Sequence, residues 1–256
     1  MINCIIRDCP TTFDLEDSPR PEDMGSHVTV EFSNIEGGQA AADVSSNSTL
    51  TWGTGNIDVD PLFADLAGED FRLTAGSPCI DAGTLVSALA PDLATLLVDD
   101  FENTPRPLDG DGDGTPGVDM GAWEFLLPTA DSNGDGIPDG WSHEHGIDPT
   151  DPGVAAENPD NDPHTTGEEW LADTDPNDPE SYFQLGRIGL LPTGATIEFV
   201  SSADRLYTLY ESDNLRDWND VPGQIDVPGN GGVLSLQGSD AGPAIRKFYR
   251  VAVRVP

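Results

Sequence analysis

The strongest constraint in this sequence is a long stretch without positive charge, because no lysine or arginine occurs between Arg106 and Arg187. The whole chain carries 47 acidic and 11 basic residues, which gives a formal net charge of −36. Carboxylates at this density repel one another in a compact state, so the stretch either stays extended or is neutralised by cations. The same charge excludes nucleic acid and anionic lipid as partners. A solvated acidic surface, as in proteins of high-salt organisms, is the alternative.

The rest of the composition favours short strands joined by turns. Among 256 residues there are 28 glycines and 22 prolines, and 36% are hydrophobic, which allows cores in two or three small domains but disfavours long helices. No apolar run could span a membrane and no signal peptide opens the chain, so we expect no membrane insertion and the C-terminal part of a longer exported protein. Cys79 is expected to pack as a small hydrophobe, and a Cys4–Cys9 bridge is left open.

Three regions differ in their pattern. Residues 1–127 hold short β-like runs with no amphipathic helix between them, which favours a β-solenoid or a sandwich. Residues 128–182 are acidic and rich in proline, with short helices expected near 140–145 and 166–172. Residues 183–256 alternate polar and apolar positions in about six strands, which predicts a small antiparallel β-sandwich with Trp218 in its core. The predicted fold class is therefore mainly β.

Five strings in the first region occur in an order that resembles a known family. They read GNIDVDPLF (55–63), DFRL (70–73), GSPCIDAG (76–83), PRPLDGDGDG (105–114) and DMGAWE (119–124). Together they resemble the final coils of bacterial surface proteins with a right-handed parallel β-helix, the choice-of-anchor Q proteins, over residues 1–126. The resemblance implies that residues 1–127 form the end of such a β-helix, with Asp81 and Glu124 as packing features. An acid–base pair of Asp81 and Glu124 is the alternative, although the sequence does not fix their separation. The region 183–256 resembles C-terminal β-modules of secreted proteins from Verrucomicrobia-like bacteria.

An EF-hand-type loop places oxygen ligands for Ca²⁺ at positions 1, 3, 5, 7, 9 and 12, with a backbone carbonyl at position 7 and glycine at position 6. One match, the Asp131 loop (residues 131–142), has Gly136 at position 6 but Ser142 where glutamate is expected at position 12. Its predicted ligands are Asp131, Asn133, Asp135, the carbonyl of Ile137, and Asp139.

A second match, the Asn158 loop (residues 158–169), has the closing glutamate but carries Pro163 at position 6. Its predicted ligands are Asn158, Asp160, Asp162, the carbonyl of His164, Thr166 and Glu169. A third candidate, the Asp109 loop (residues 109–119), interleaves aspartates with glycines, and a turn that closes the last coil is the alternative interpretation. Its predicted ligands are Asp109, Asp111, Asp113, Thr115 and Asp119.

Further strings accompany the Asp131 and Asn158 loops, namely DGIPDGW (135–141), GIDP (146–149) and EEWLADTDP (168–176). Over residues 131–178 they resemble the thrombospondin type 3-like repeats of bacterial surface proteins. The resemblance implies that this segment binds Ca²⁺ as its cofactor. His143 and His145 lie two apart on a short helix and face different directions, which favours a solvated helix end over a zinc site.

These observations predict an extracellular or cell-surface structural or adhesion protein rather than an enzyme. Ca²⁺ would neutralise residues 128–182 and make a rigid joint between a β-helix end and a β-sandwich. Polysaccharide or cell-surface components are the further partners to consider. The alternatives are the non-catalytic C-terminal part of a secreted polysaccharide lyase or hydrolase, and a carbohydrate-binding module. A dockerin is disfavoured because the two loops differ and lack a GDVNGD opening.

Overall fold

The computed structural model describes residues 1–8, 13–15, 25–85, 98–191, 194–239 and 246–256. Strands make up 31% and helices 9%, so the predicted mainly β class is confirmed. The chain divides into two compact units, Met1–Pro152 and Gly153–Pro256, and the division falls inside the acidic region. Within the described ranges, no helix is long and apolar enough to cross a membrane.

In the first unit, three short strands pair in parallel with three later ones. The pairs are β1 (Ile5–Ile6) with β4 (Asn34–Ile35), β2 (Phe13–Leu15) with β5 (Ala42–Val44), and β3 (His27–Val30) with β6 (Thr49–Trp52). Partner residues are 29 positions apart in the first two pairs and 22 in the third, so successive stretches of chain run side by side in the same direction. These sheets are two-stranded and unclosed.

The remaining regular elements of the first unit are also short. A 3₁₀ helix, η1 (Gly38–Ala41), precedes β5, and an antiparallel hairpin follows, formed by β7 (Phe63–Asp65) and β8 (Asp70–Leu73). Strands of two to four residues bury little apolar surface individually. The fold of this unit therefore depends on side chains that pack beneath several strands at once.

Two apolar clusters lie within the first unit. One contains Leu15, Val30 and Ile35, and the other contains Leu73, Cys79, Ile80 and Met120. Cys79 is fully buried and free, and its sulfur accepts a hydrogen bond from Asn34 Nδ2 at 3.1 Å. Its predicted packing as a small hydrophobe is therefore confirmed. Cys9, and with it a Cys4–Cys9 bridge, lies outside the described residues.

Two short α-helices lie where the sequence predicts them, α1 (Asp139–Glu144) in the first unit and α2 (Thr166–Ala172) in the second. α2 begins with a capping box, in which the Thr165 hydroxyl accepts from the Glu168 N–H and the Glu168 carboxylate accepts from the Thr165 N–H. The helix ends at Asp173, whose φ of 62° lies in the left-handed region that terminates helices. A 3₁₀ turn, η2 (Val154–Ala156), packs against α2.

The second unit contains two antiparallel sheets. One consists of β9 (Leu185–Leu191), β10 (Gly194–Val200) and β14 (Val233–Gln237), with β10 in the middle. In the other, β11 (Leu206–Ser212) pairs with β12 (Asn219–Asp220), β13 (Val227–Pro228) and β15 (Phe248–Arg254).

Alternate residues of β10 point into one core that both sheets share. Ala195, Ile197 and Phe199 are buried, and they belong to the same cluster as Tyr207 and Leu209 of β11. The rings of Phe199 and Tyr207 are 5.0 Å apart between centroids. The alternation in the sequence therefore identifies the buried face of this strand.

The expectation for Trp218 is wrong, because this side chain lies outside the core cluster and is only half-buried. The Arg250 guanidinium lies 4.6 Å from its ring centroid and 4.8 Å from that of Tyr210. A cation held over an aromatic face is attracted by the ring electrons, so the guanidinium and the two rings form a partly exposed cluster instead.

Ile197 and Ile188 are cross-strand partners in β10 and β9 that differ in burial, since Ile197 is 0% exposed and Ile188 is 58% exposed. Ile197→Ala should lower the free energy of unfolding of the second unit by about 2–5 kcal/mol, because it leaves a cavity in the core. Ile188→Ala should change that free energy by less than about 0.5 kcal/mol. Urea denaturation followed by circular dichroism measures both variants, and equal losses would contradict this assignment of the core.

Candidate metal centre

Acidic side chains come together in the Asn158 loop, between η2 and α2. Asp160 and Asp162 lie in the loop, while Glu169 lies on α2 and is fully buried. One carboxylate oxygen from each of the three lies within 4.8 Å of the other two. The sequence predicts these residues as ligands at positions 3, 5 and 12, and the structure brings them together.

Backbone hydrogen bonds fix the two aspartates of this loop. The Asp162 N–H donates to Asp160 Oδ1 at 3.1 Å, and the His164 N–H donates to Asp162 Oδ1 at 2.6 Å. A hydrogen bond that an aspartate oxygen accepts from the N–H two residues later is typical of an Asx turn. Each aspartate therefore has one oxygen held by the backbone, and its orientation is set without using the second oxygen.

Four oxygen atoms of the loop are buried without a hydrogen-bond partner, and they are Asn158 Oδ1, Asp160 Oδ2, Asp162 Oδ2 and Glu169 Oε2. An unpaired buried polar atom costs about 1–3 kcal/mol, and an unpaired charge costs more. These atoms belong to the residues at positions 1, 3, 5 and 12 of the predicted loop. The unpaired atoms are therefore those that the loop spacing assigns to a bound cation.

The electrostatics of Glu169 also favour a cation. Burial, and then the neighbouring carboxylates of Asp160 and Asp162, raise the pKa of Glu169 to about 7. Its second oxygen, Oε1, accepts a long hydrogen bond from the Thr174 hydroxyl at 3.5 Å. A divalent cation among these groups would offset the repulsion between the carboxylates and favour the ionised form of Glu169.

The candidate metal ligands of the Asn158 loop are all oxygen atoms. The His164 ring is engaged elsewhere, with Nε2 at 3.0 Å from the Phe183 carbonyl oxygen, so the ligand predicted from this residue remains its own carbonyl. Thr166 is buried and its hydroxyl donates to the Glu157 carbonyl at 3.2 Å, which leaves the hydroxyl lone pairs as acceptors. Oxygen donors without thiolate or imidazole suit hard cations such as Ca²⁺ and Mg²⁺.

The side chains of the Asp131 loop accept hydrogen bonds from the backbone of the same loop. Both oxygens of the Asp131 carboxylate accept hydrogen bonds at 2.9–3.1 Å, from the N–H groups of Gly134, Asp135 and Gly136. Asn133 and Asp135 each accept from the N–H two residues later, at 3.0 and 2.8 Å. In the described part of the chain, no three acidic side chains of this loop bring their oxygens within 4.8 Å of one another.

Asp139, the predicted ligand at position 9 of the Asp131 loop, is buried at the start of α1. Its Oδ1 accepts from the Ser132 N–H at 3.0 Å, and its Oδ2 accepts from the Ser132 hydroxyl at 2.5 Å. Burial raises the pKa of the Asp139 carboxyl group against the lowering effect of these bonds. Both of its oxygens therefore have protein partners without a cation.

The Asp109 loop repeats the pattern of the Asp131 loop, because the Asp109 carboxylate accepts three backbone hydrogen bonds at 2.8–3.1 Å. The structure adds Asp81, whose carboxylate lies with those of Asp109 and Asp111 within 4.8 Å. Asp81 Oδ1 is buried without a hydrogen-bond partner, while Oδ2 accepts from the Asp111 N–H at 2.9 Å. The sequence did not identify Asp81 as a ligand, since it lies far from the loop in the chain and spacing could not reveal it.

The other predicted ligands of the Asp109 loop make backbone contacts. Asp113 Oδ1 accepts from the Thr115 N–H at 2.8 Å. Asp119 is 1% exposed, and its two oxygens accept from the N–H groups of Asp81 and Phe125 at 2.8 and 2.6 Å. Burial raises the pKa of Asp119 to about 7. Asp119 thus holds two backbone segments together, and among the described residues neither it nor Asp113 joins the acidic group.

A buried arginine holds the C-terminal end of α2. The Arg205 side chain is 4% exposed, and its guanidinium donates to the carbonyl oxygens of Trp170 and Leu171 at 2.7 and 3.0 Å. It also pairs with Asp173 at 3.3 Å and lies 4.7 Å from the Trp170 ring centroid. These bonds satisfy carbonyl groups that the last turn of a helix leaves free. Because Arg205 directly precedes β11, it connects the helix that carries Glu169 to a sheet.

Comparison with protein-family models, curated proteins and solved structures finds no match for this chain. The resemblances to choice-of-anchor Q proteins and to thrombospondin type 3-like repeats therefore stay predictions. The chemistry of the Asn158 loop has to be inferred from its own residues.

Arg205→Lys should lower the free energy of unfolding of the second unit by about 1–3 kcal/mol, because a single ammonium cannot reproduce the planar fork that reaches several acceptors. Arg216→Lys is the matched control, since Arg216 is exposed and should change stability by less than about 0.5 kcal/mol. Urea denaturation of both variants provides the comparison. A loss for Arg205→Lys no larger than that for the control would show that the helix does not depend on this contact.

Proposed function

We propose that this chain is an extracellular calcium-binding structural protein whose principal calcium site is the Asn158 loop. The observation that carries the proposal is the set of four buried oxygens without partners, from Asn158, Asp160, Asp162 and Glu169. Ca²⁺ takes about six to eight oxygen ligands. The loop supplies four from side chains, and the predicted carbonyl of His164 would add a fifth.

Ca²⁺ suits this donor set better than Mg²⁺. Mg²⁺ demands near-ideal octahedral geometry and usually keeps several of its waters, so proteins tend to bind it through one or two carboxylates. The Asn158 loop offers three carboxylates and an amide oxygen in a buried position. A larger cation that exchanges most of its hydration shell for protein oxygens is the better match.

Calcium at this site would stabilise the second unit. It would link the loop carboxylates of Asp160 and Asp162 to Glu169 on α2, and Arg205 connects α2 to β11. Because the folded loop binds the cation and the unfolded chain has no such site, the binding free energy adds to the free energy of folding. The acidic region was expected to act as one joint, but the Asp131 loop belongs to the first unit and the Asn158 loop to the second.

The two units would serve as structural modules. The 29-residue spacing between parallel partners supports the interpretation of residues 1–127 as the end of a right-handed parallel β-helix. The core shared by two antiparallel sheets supports a β-sandwich for residues 183–256. Neither interpretation calls for a catalytic residue, and the proposal assigns none.

The proposed location is outside the cell or on its surface, where calcium is abundant enough to fill a weak site. Calcium modules of extracellular proteins typically bind with a Kd of about 10⁻⁴–10⁻³ M. A site of this affinity would be filled at millimolar external Ca²⁺ and empty at cytosolic concentrations. The net charge of −36 would also make cation binding favourable over the whole acidic region.

Calcium titration by calorimetry, with thermal unfolding before and after chelation, tests the proposal. At a hundredfold excess of Ca²⁺ over Kd, the second unit should gain about 2.7 kcal/mol of stability. Its melting temperature should then rise by about 10–20 °C, and EDTA should reverse the rise. No heat of binding together with an unchanged melting temperature would contradict the proposal.

Position 5 provides a matched pair of variants that locates the site. Asp162→Asn should weaken calcium binding by about tenfold or more, because it removes one of three carboxylates while keeping the bond to the His164 N–H. Asp135→Asn makes the same change in the Asp131 loop and should leave this affinity within about twofold. The opposite result would place the principal site in the Asp131 loop.

A further inference from the structure

The three acidic loops differ in the hydrogen bonds that reach the side chain at position 1, and one of these bonds comes from the N–H at position 6. In the Asp109 and Asp131 loops, the glycine N–H at position 6 donates to Oδ2 of the first aspartate at 2.9 Å. In the Asn158 loop, position 6 is Pro163, which has no N–H. The bond that engages Oδ2 of the first aspartate in the other two loops therefore cannot form here.

The Asn158 side chain donates a hydrogen bond to the loop backbone, whereas Asp109 and Asp131 accept such bonds. Its Nδ2 donates to the Asp162 carbonyl oxygen at 2.8 Å. This contact sets the orientation of the amide, because an amide oxygen in that place would face another acceptor. Oδ1 is consequently left over, and it is buried without a partner. Aspartate at this position could not make the contact, since both ends of a carboxylate are acceptors.

The backbone of the Asn158 loop accommodates the proline. At position 4 all three loops have a left-handed residue, with φ between 62° and 78°, and these residues are Gly112, Gly134 and Asn161. At position 6 the other loops are left-handed again, with φ of 87° at Gly114 and 91° at Gly136. Proline is restricted to negative φ, so the Asn158 loop keeps the first of these turns and loses the second.

We infer that Asn158 and Pro163 form a matched pair that presents a neutral amide oxygen to the bound cation. Pro163 lacks the N–H that would donate to the side chain at position 1. Asn158 instead holds its own side chain in place through its amide N–H group. The inference rests on the proposed calcium site. A ligand at that site is indicated independently by Glu169, which is fully buried with Oε2 unpaired beside Asp160 and Asp162.

Because of Asn158 and Pro163, an added negative charge at position 158 should have the opposite of its usual effect on calcium affinity. A further carboxylate near a cation site ordinarily strengthens Ca²⁺ binding, because affinity follows the charge of the ligands. Asn158→Asp should instead weaken binding by about tenfold, since an oxygen that repels the Asp162 carbonyl replaces the amide donor. Asn158 would therefore contribute through the orientation of its oxygen rather than through charge.

Calorimetric titration with CaCl₂ of the whole chain and three variants tests the inference. The first variant is Asn158→Asp. The matched control is Asn161→Asp, which adds the same charge at an exposed position of the same loop and should leave affinity within about twofold. The third is the double variant Asn158→Asp with Pro163→Gly, in which the new N–H can hold the second carboxylate oxygen, as in the other two loops. It should bind about tenfold more tightly than Asn158→Asp alone.

The outcomes separate this inference from the proposed function. If the unchanged chain binds calcium and the Asn158→Asp variant binds it equally tightly or more tightly, the inference about Asn158 and Pro163 is overturned. The proposed calcium site is then unaffected. Absence of binding by the unchanged chain would overturn both. Thermal unfolding in EDTA shows whether Asn158→Asp still folds, and if it does not, the double variant decides. Recovery of affinity in the double variant supports the pair, and failure to recover rules it out.

Discussion

Three carboxylates lie close together beside α2, and the proposed function depends on how their charge is balanced. Glu169 is fully buried, and its neighbours Asp160 and Asp162 bring oxygens within 4.8 Å of it. Like charges this close in a poorly solvated place cannot all remain ionised without a compensating charge. Arg205 does not provide that charge, because its guanidinium is committed to carbonyl groups at the end of α2 and to Asp173. A cation from solution is the remaining way to keep all three ionised.

The three loops space their acidic residues in nearly the same way, but they differ in whether the side-chain oxygens have hydrogen-bond donors. In the Asp109 and Asp131 loops, both oxygens of the first aspartate accept backbone hydrogen bonds, three in each loop. In the Asn158 loop, the corresponding oxygen and three carboxylate oxygens have no donor. Under the proposed function, the Asn158 loop is therefore the part of the acidic region that gains most from a bound cation.

Much of the fold and of the site could be predicted from local pattern. Alternation along β10 identified its buried face, and both short helices lie within two residues of their expected positions. The spacing of the Asn158 loop identified Asp160, Asp162 and Glu169 as neighbours, because a curled loop followed by a helix brings these positions together.

Other features depend on contacts that spacing does not encode. Asp81 joins Asp109 and Asp111 from a distant part of the chain. The Asp131 loop also has the glycine that an EF-hand-type loop carries at position 6, namely Gly136. That same glycine supplies the N–H that saturates Asp131, so the residue that fits the motif leaves the first side chain with a backbone partner.

Hydrogen–deuterium exchange of the whole chain, with calcium and with EDTA, tests the central claim most directly. Calcium should slow exchange of the amides of α2 and of the Asn158 loop by about tenfold or more, because local opening must release the cation. Amides of the Asp131 loop should exchange at nearly the same rate in both conditions. Protection confined to the Asp131 loop, with residues 158–172 unchanged, would contradict the claim that the second unit depends on the cation.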